Sequence, residues 1–535
     1  MKNRRNVRYG EGVFNLLNKN IKDFNKIILS LGCASFIFLM GLLSYKISNS
    51  YAYFTNSVTG SKTIEMTYTK PSLDKSGANA PLLSSNMIPV YYDEASSAWK
   101  KADTTNTSKN YKWYDYSNKM WANAVTVTSA NRSTYLNASV GTTIPMSDIN
   151  TMWVWIPRYT YTYFSTNTPE EIKIKFESGT SSSGTITCTD TVTGTSSTSE
   201  TCTDSVNGSL IAGTSTYTHP AFWWDKDDDN VRDKDEEFIG IWVGKFEVSS
   251  NCVTGDSNIA VGAGCNIETI RPQIIPGAIP WTSAMVGTFF NDIYNMRESG
   301  NQYGFSKADE THMMKNMEWG AVTYLTHSKY GRCTNGNCTE VSLNSYYNYS
   351  NMLTGCGPES NESTSSTEIC NDYDTELGKL ASTTGSVFGI YDMSGGSWEY
   401  MMSDMVYQDG TMMSGDRLKN YEYSGFTGYL NYGGNITGEY AFPNKRYYDK
   451  YSYGTSSTEF SRGKLGEATK EMKPSSSDQT SWYNDRGAFP YFDSPWITRG
   501  SVCLDDSGGG LFEFLAEKGH AKAFISSRAV ISNLN

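Results

Sequence analysis

Histidine is scarce in this chain: only residues 219, 312, 327 and 520 of the 535. None sits in an H-x-x-x-H or H-E-x-x-H spacing and no G-x-S-x-G elbow occurs, so zinc-protease and serine-hydrolase readings lack their residues. His219, ahead of Pro220 and an aromatic strand, is read as a packed core residue. Charge is sparse as well, at 19% of residues, with a formal net charge of −11. That balance speaks against a nucleic-acid partner held by a basic footprint. The glycine run at 508–510 lacks the lysine and hydroxyl of a phosphate loop and reads as a turn. Paired carboxylates for glycosidase work cannot be singled out among 56 acidic residues.

Aromatic residues are abundant: 37 tyrosines and 13 tryptophans are spread through stretches of Ser, Thr, Asn and Gly. The mixture points to short strands and long polar loops rather than helical bundles. Such surfaces suit recognition, because rigid rings offer contact area at low entropic cost. The Gly/Tyr-rich stretch 420–454 is read as packed loops, the alternative being a carbohydrate-stacking platform.

Residues 1–26 are basic, and residues 27–43 run seventeen positions without a charge, the lower limit for crossing a bilayer. The charge asymmetry, with Lys46 alone just beyond, places the N-terminus inside. The segment at 27–45 is either a retained transmembrane anchor or a signal-peptide core. Ser50-Tyr51-Ala52 carries small residues suited to cleavage after Ala52. Either way the rest is expected outside the cytoplasm, on the cell membrane or secreted. The stretch Ala52-Tyr53-Phe54-Thr55-Asn56 resembles the mature start of TasA/camelysin-type matrix proteins.

Cysteine spacing fits an oxidising compartment. Four pairs are sequential neighbours flanking polar loops, as local disulfides would be: Cys188 with Cys202, Cys252 with Cys265, Cys333 with Cys338, and Cys356 with Cys370. Zinc is the alternative, but no pair has the required close spacing beside a histidine or a second close pair. Cys503 is left over.

Composition divides the chain into a polar, β-rich region at 46–150 and a larger domain at 151–535 with inserts at 178–218, 326–384 and 407–495. The first insert is expected to be a flexible exposed loop. Strands are predicted at Met152–Tyr159, Phe238–Ser249, Trp496–Cys503 and Phe524–Ile531. Helical spacing is predicted over Trp281–Arg297 and His312–Tyr324.

The loop 225–236 places Asp225, Asp227, Asp229 and Asp233 at positions 1, 3, 5 and 9, Val231 at 7 and Glu236 at 12. Alternating carboxylates on a tight turn converge oxygens on a hard cation, so calcium is the expected occupant. Asn230 replaces the usual glycine and tolerates the left-handed turn. The role expected is structural, at the start of the strand that follows.

One stretch ties the chain to a family. Gly389-Ile390-Tyr391-Asp392-Met393-Ser394-Gly395-Gly396-Ser397-Trp398-Glu399-Tyr400 resembles the "G-L-Y-D-M-S-G-N-V-W-E-W" element of formylglycine-generating (sulfatase-modifying) enzymes. Ile241-Trp242-Val243-Gly244-Lys245-Phe246-Glu247-Val248-Ser249 resembles their "W-I-G-K-Y-E-V-T" strand, and Asn316–Leu325, with Trp319, their Trp-containing helix. Arg499-Gly500-Ser501 and Ser527-Arg528 are similar to "R-G-G-S" and the terminal "G-F-R". The resemblance implies an α+β, C-type-lectin-like fold with little regular structure, in which Trp242, Gly244, Trp319, Gly389, Asp392, Gly395, Trp398, Glu399, Arg499 and Arg528 are architectural. It also implies two copper-binding cysteines five apart. Cys503 stands at the first position and Gly508 at the second, so one thiolate ligand is missing and copper chemistry is not expected. Cys503 is read as a buried thiol.

The function expected is therefore a membrane-anchored or secreted binding protein for a glycan, protein or matrix component. A divergent oxidase of the family and a matrix or pilus-like subunit are the alternatives.

Overall fold

β-branched and aromatic residues dominate the segments that pair, and the result is a mixed α/β fold that is mostly sheet with few helices. In this computed structural model the chain divides into Met1–Pro71 and Ser72–Asn535. The described residues are 74–84, 86–164, 168–177, 179, 186–193, 197–204, 208–209, 211–224, 236–250, 271–345, 352–358, 370–406, 424–427, 429–430, 436–437, 440–452, 464–472, 480–491, 494–505 and 508–532. The apolar run at 27–43 and the cleavage position at Ala52 lie outside them. Among the described residues no helix is long and apolar enough to cross a membrane.

The elements that matter here are β1 (Ile88–Asp93), β2 (Ala98–Lys101), β3 (Asn123–Val127), β4 (Ile149–Pro157), β5 (Gly240–Gly244), β6 (Thr311–Met313), β7 (Cys333–Thr334), β8 (Asn337–Cys338), β9 (Trp398–Val406), β10 (Asp449–Ser452), β11 (Trp496–Arg499), β12 (Phe514–Glu517), β13 (Ile525–Ser527) and β14 (Ala529–Ile531). The helices are α1 (Ser129–Asn137), α2 (Val286–Tyr294) and α3 (Asn316–Thr326). A seven-stranded sheet runs β6-β14-β5-β4-β3-β1-β2. In the second sheet β9 pairs antiparallel with β11 and parallel with β10 and β13, while β12 edges β11.

β4 is buried along its whole length, which is why its Met152–Ile156 part reads as a continuous apolar run rather than an alternation. Trp155 lies opposite Trp242 of β5. A Cβ on neighbouring Gly240 would fall 2.4 Å from the Trp155 ring, so only glycine fits there. On the other side β3 pairs with β4, Val125 opposite Met152. Strands from the 46–150 region thus continue the same sheet, and the compositional boundary at 150 does not mark a break in the described fold.

Other differences have local causes. The strand expected over 238–249 is regular only across Gly240–Gly244. Beyond it Lys245, Phe246 and Glu247 turn inward to packing and polar contacts. The helix expected from His312 begins at Asn316, because Glu318 accepts from the Lys315 N–H at 2.9 Å and so closes the first turn there. His312 lies instead on β6. The helix expected over 281–297 is confined to α2 and a following 3-10 turn, since Trp281 N–H is drawn to the Val248 carbonyl. The Ser/Thr insert is not wholly loop: Ile186–Thr193 and Ser197–Asp204 pair as a hairpin with Cys188 opposite Cys202. Threonine at positions 187, 189, 191 and 193 favours that extended form. In the Gly/Tyr-rich stretch, Phe426, Tyr447 and Tyr451 are buried, but Phe426 and Tyr451 lie on short strands and Tyr447 in a 3-10 turn rather than in loops.

The disulfide expectation meets the structure unevenly. Cys333–Cys338 and Cys356–Cys370 are bridged as expected. Cys188 and Cys202 share a register position on the paired strands. Cys252 and Cys265 lie outside the described residues, so the bridge expected between Cys252 and Cys265 is not among the disulfides the structure describes.

Candidate binding site

The stretches that carry the family resemblance are far apart in sequence and meet around Arg528, the residue between β13 and β14. Arg528 is fully buried, and its guanidinium donates to both Glu399 oxygens, to the Gly244 carbonyl at 2.8 Å and to the Tyr391 carbonyl at 2.9 Å. Burial works against its charge, yet the Glu399 carboxylate beside it raises its pKa above the ordinary value. Lys245, equally buried, donates to Asn123 Oδ1, Val387 O and Gly389 O, and lies 5.1 Å from the Trp99 ring centre. Trp319 of α3 packs 5.5 Å from the Arg499 guanidinium and against Gly500.

The glycine turn sits directly above this centre. Asp392, Gly395 and Gly396 all have positive φ, at 61°, 80° and 73°. The Gly395 N–H donates to the Gly500 carbonyl and the Cys503 N–H to the Gly396 carbonyl. Asp392 Oδ1 accepts from Asn344 Nδ2 and from the Gly355 N–H, both at 2.8 Å. The turn therefore fixes three chain segments against one another, and a Cβ on Gly395 would meet the Asn344 backbone at 2.3 Å.

At the edge of this turn Trp398 and Phe524 are partly exposed, rings edge-on at 5.4 Å. Beneath them lie Met352, Val502 and the buried Cys503. The Arg486 guanidinium stands 5.6 Å from the Trp398 ring and Lys522 Nζ 5.7 Å from Phe524. Their counter-charges are close: Asp505 and Glu513 for Arg486, Glu517 for Lys522. Behind Arg486, burial raises the pKa of Asp485 to about 7 and that of Glu513 to about 8. Glu340, hydrogen-bonded to Asp485, is pushed up to about 10 by burial and by its partner's charge. The result is a small aromatic shelf on an apolar base, bordered by two cations and with buried carboxyl groups behind Arg486, a chemistry suited to contacting a polar, ring-bearing ligand.

No protein-family model matches this chain, and no curated protein matches it.

The expected residues separate into three groups. Trp242, Gly244, Trp319, Gly389, Asp392, Gly395, Glu399, Arg499 and Arg528, expected to be architectural, are buried, and Trp398 alone of that set reaches the surface. Of the calcium set only Glu236 is described. It is buried, with one oxygen accepting from Trp223 Nε1 at 3.3 Å, and a Trp223–Glu237 bridge closes the base of the loop. Asp225, Asp227, Asp229, Val231 and Asp233 lie outside the described residues. At Gly508, where the resemblance implied a second thiol, the carbonyl accepts from the Arg486 N–H, and a Cβ would meet the Arg486 chain at 3.3 Å. Sequence reasoning missed Phe524, Arg486 and Lys522, which lack any motif and converge only through tertiary packing. His219 does pack in the core, its Nδ1 accepting from the Ala221 N–H.

Proposed function

We propose that the chain is an extracytoplasmic binding protein, membrane-anchored or secreted, built on a formylglycine-generating-enzyme-like, C-type-lectin-like scaffold. The observation that carries this reading is the partly exposed Trp398–Phe524 pair bordered by Arg486 and Lys522. Its ligand is a glycan, protein or matrix component that stacks on the rings and pairs with the flanking charges. Gly508, where the resembling enzymes carry a second thiol, supports binding over oxidation. Calcium at the 225–236 loop, whose ends are bridged through Trp223 and Glu237, would stiffen the approach to β5.

The test is a glycan and matrix-protein array probed with the wild-type chain and Trp398→Ala, with and without millimolar calcium. Wild-type binding that falls at least about tenfold in the variant is expected, since an aromatic anchor is worth roughly 2 kcal/mol or more. Calcium should raise the melting temperature; no shift at millimolar calcium removes that part of the reading. A cysteine-containing peptide incubated with copper and the protein decides against oxidase chemistry if its mass is unchanged. Formylglycine formation would overturn the proposal. Concentration-dependent fibre growth would favour the matrix-subunit reading instead.

A further inference from the structure

At the end of α3 a histidine and two cysteines converge. The ligand atoms of His327, Cys333 and Cys338 lie within 4.8 Å of one another. His327 caps the C-terminal end of α3, and the two cysteines stand directly opposite each other on β7 and β8. We propose that this cluster is a redox-gated site for a divalent transition metal such as zinc: closed as the Cys333–Cys338 disulfide, and opened as a His/Cys/Cys ligand set when that bond is reduced.

The hairpin holds its geometry without the disulfide. Asn335 and Gly336 take φ of 53° and 81°, the two positive values that a tight two-residue hairpin turn requires. An Asn-Gly pair adopts them readily, so the turn itself keeps the cysteines face to face. The cross-link closes a separation of only 5 residues, against 14 for Cys356–Cys370, so the fold depends on it less. Access is also built in: Thr334–Asn337 are exposed and Cys338 is partly so, while Cys333 and His327 are buried. A thiol reductant therefore meets the outer sulfur first.

His327 is already oriented as a ligand. Its Nδ1 is 3.0 Å from the Glu170 carbonyl, which can only accept, so the proton sits on Nδ1 and the lone pair on Nε2. Nε2 is now engaged by the Tyr483 hydroxyl at 2.8 Å, a contact that metal binding would release. Reduction balances with a dithiol. Its two S–H groups supply two electrons and two protons, the protein S–S bond breaks, and the dithiol closes to a cyclic disulfide. Metal binding then displaces the two cysteine protons and forms two metal–sulfur bonds and one metal–nitrogen bond, leaving a fourth position for water. The sequence hides this site, because the spacing His-x5-Cys-x4-Cys matches no zinc pattern and only the end of α3 folding back onto the hairpin brings the imidazole in.

The full-length protein, reduced and freed of reductant without oxygen, is titrated with cobalt(II). One equivalent is expected to bind with a sulfur-to-cobalt charge-transfer absorption and the visible bands of a tetrahedral ion, and zinc should displace it. Oxidised protein should give neither signal. Cys338→Ser should abolish the charge-transfer band, and His327→Gln should retain it with affinity lowered about tenfold or more. Zinc should also protect Cys333 and Cys338 of reduced wild-type protein from alkylation, read by peptide mapping, a measurement that needs no variant. The proposal falls if the reduced protein binds no cobalt, if Cys338→Ser keeps the band, if His327→Gln leaves spectrum and affinity unchanged, or if zinc does not protect the two cysteines.

Discussion

Arg528 shows how much of this fold rests on single buried charges. Its guanidinium joins Glu399 on β9 to the Gly244 and Tyr391 carbonyls, so removing it strands a carboxylate and two carbonyls in a dry interior. Arg528→Ala is expected to cost about 3–5 kcal/mol, a large share of a domain's total, and denaturant unfolding would measure it. Arg528→Lys should recover little, because an ammonium cannot reproduce the planar fork. The Glu340–Asp485–Glu513 group makes a different point, about pH. All three have pKa values above the carboxylate range, chiefly because burial disfavours their charge. At these three sites the folded chain keeps protons that the unfolded chain has released, from about pH 4.5 up to about pH 10. Their contribution to stability is full below the unfolded values and is lost as pH rises through the folded ones. Urea midpoints should fall from pH 5 to pH 8, and Asp485→Asn should flatten that slope. An unchanged slope would remove Asp485 from the account.

Among the elements, α3 carries the clearest conflict between local preference and packing. Gly320 sits mid-helix, where alanine would ordinarily be favoured by about 1 kcal/mol. A Cβ at that position, however, would lie 1.8 Å from the Gly466 carbonyl oxygen. Backbone cannot yield as a side-chain tip can, so packing wins: Gly320→Ala is expected to lose about 1–3 kcal/mol and to lower the melting temperature. The apolar spacing of α3 was legible in the sequence, but its starting residue was not, because Met314 continues the pattern while Lys315 and Glu318 set the boundary. On β9 Tyr400 is fully buried, whereas Trp398, at the strand's first position beside the glycine turn, reaches the surface.

At the level of the whole molecule, the strands before residue 150 decide whether the rest can fold. Trp113 and Trp121 are fully buried, and β3 covers the edge of β4. Losing a buried tryptophan costs about 3–5 kcal/mol, so losing two approaches the roughly 5–15 kcal/mol that holds a domain together. A chain starting at residue 151 should aggregate or melt without a cooperative transition, while one starting at residue 72 should melt cooperatively. Calorimetry of the two fragments settles it. Composition marked position 150 because polar, threonine-rich sequence gives way to tryptophan-rich sequence there, but a sheet edge is set by pairing rather than by composition.

The sequence by itself determined the short, aromatic strands and long polar loops, the local cysteine pairs at 333/338 and 356/370, and the core character of residues such as Trp242 and His219. These are local properties, carried by residue type, spacing and period. Only the tertiary structure decided that Arg528 serves Glu399, Gly244 and Tyr391 together, that Phe524 and Trp398 form one shelf, and that His327 faces a cysteine hairpin. Each of those joins side chains from separate segments, and their meeting depends on how sheets and loops pack, which no single stretch of sequence encodes. The Gly389–Met401 turn belongs to both: its glycines announce a tight crossing, and only the fold shows that what it holds is Asn344, Gly355 and the segment 500–503.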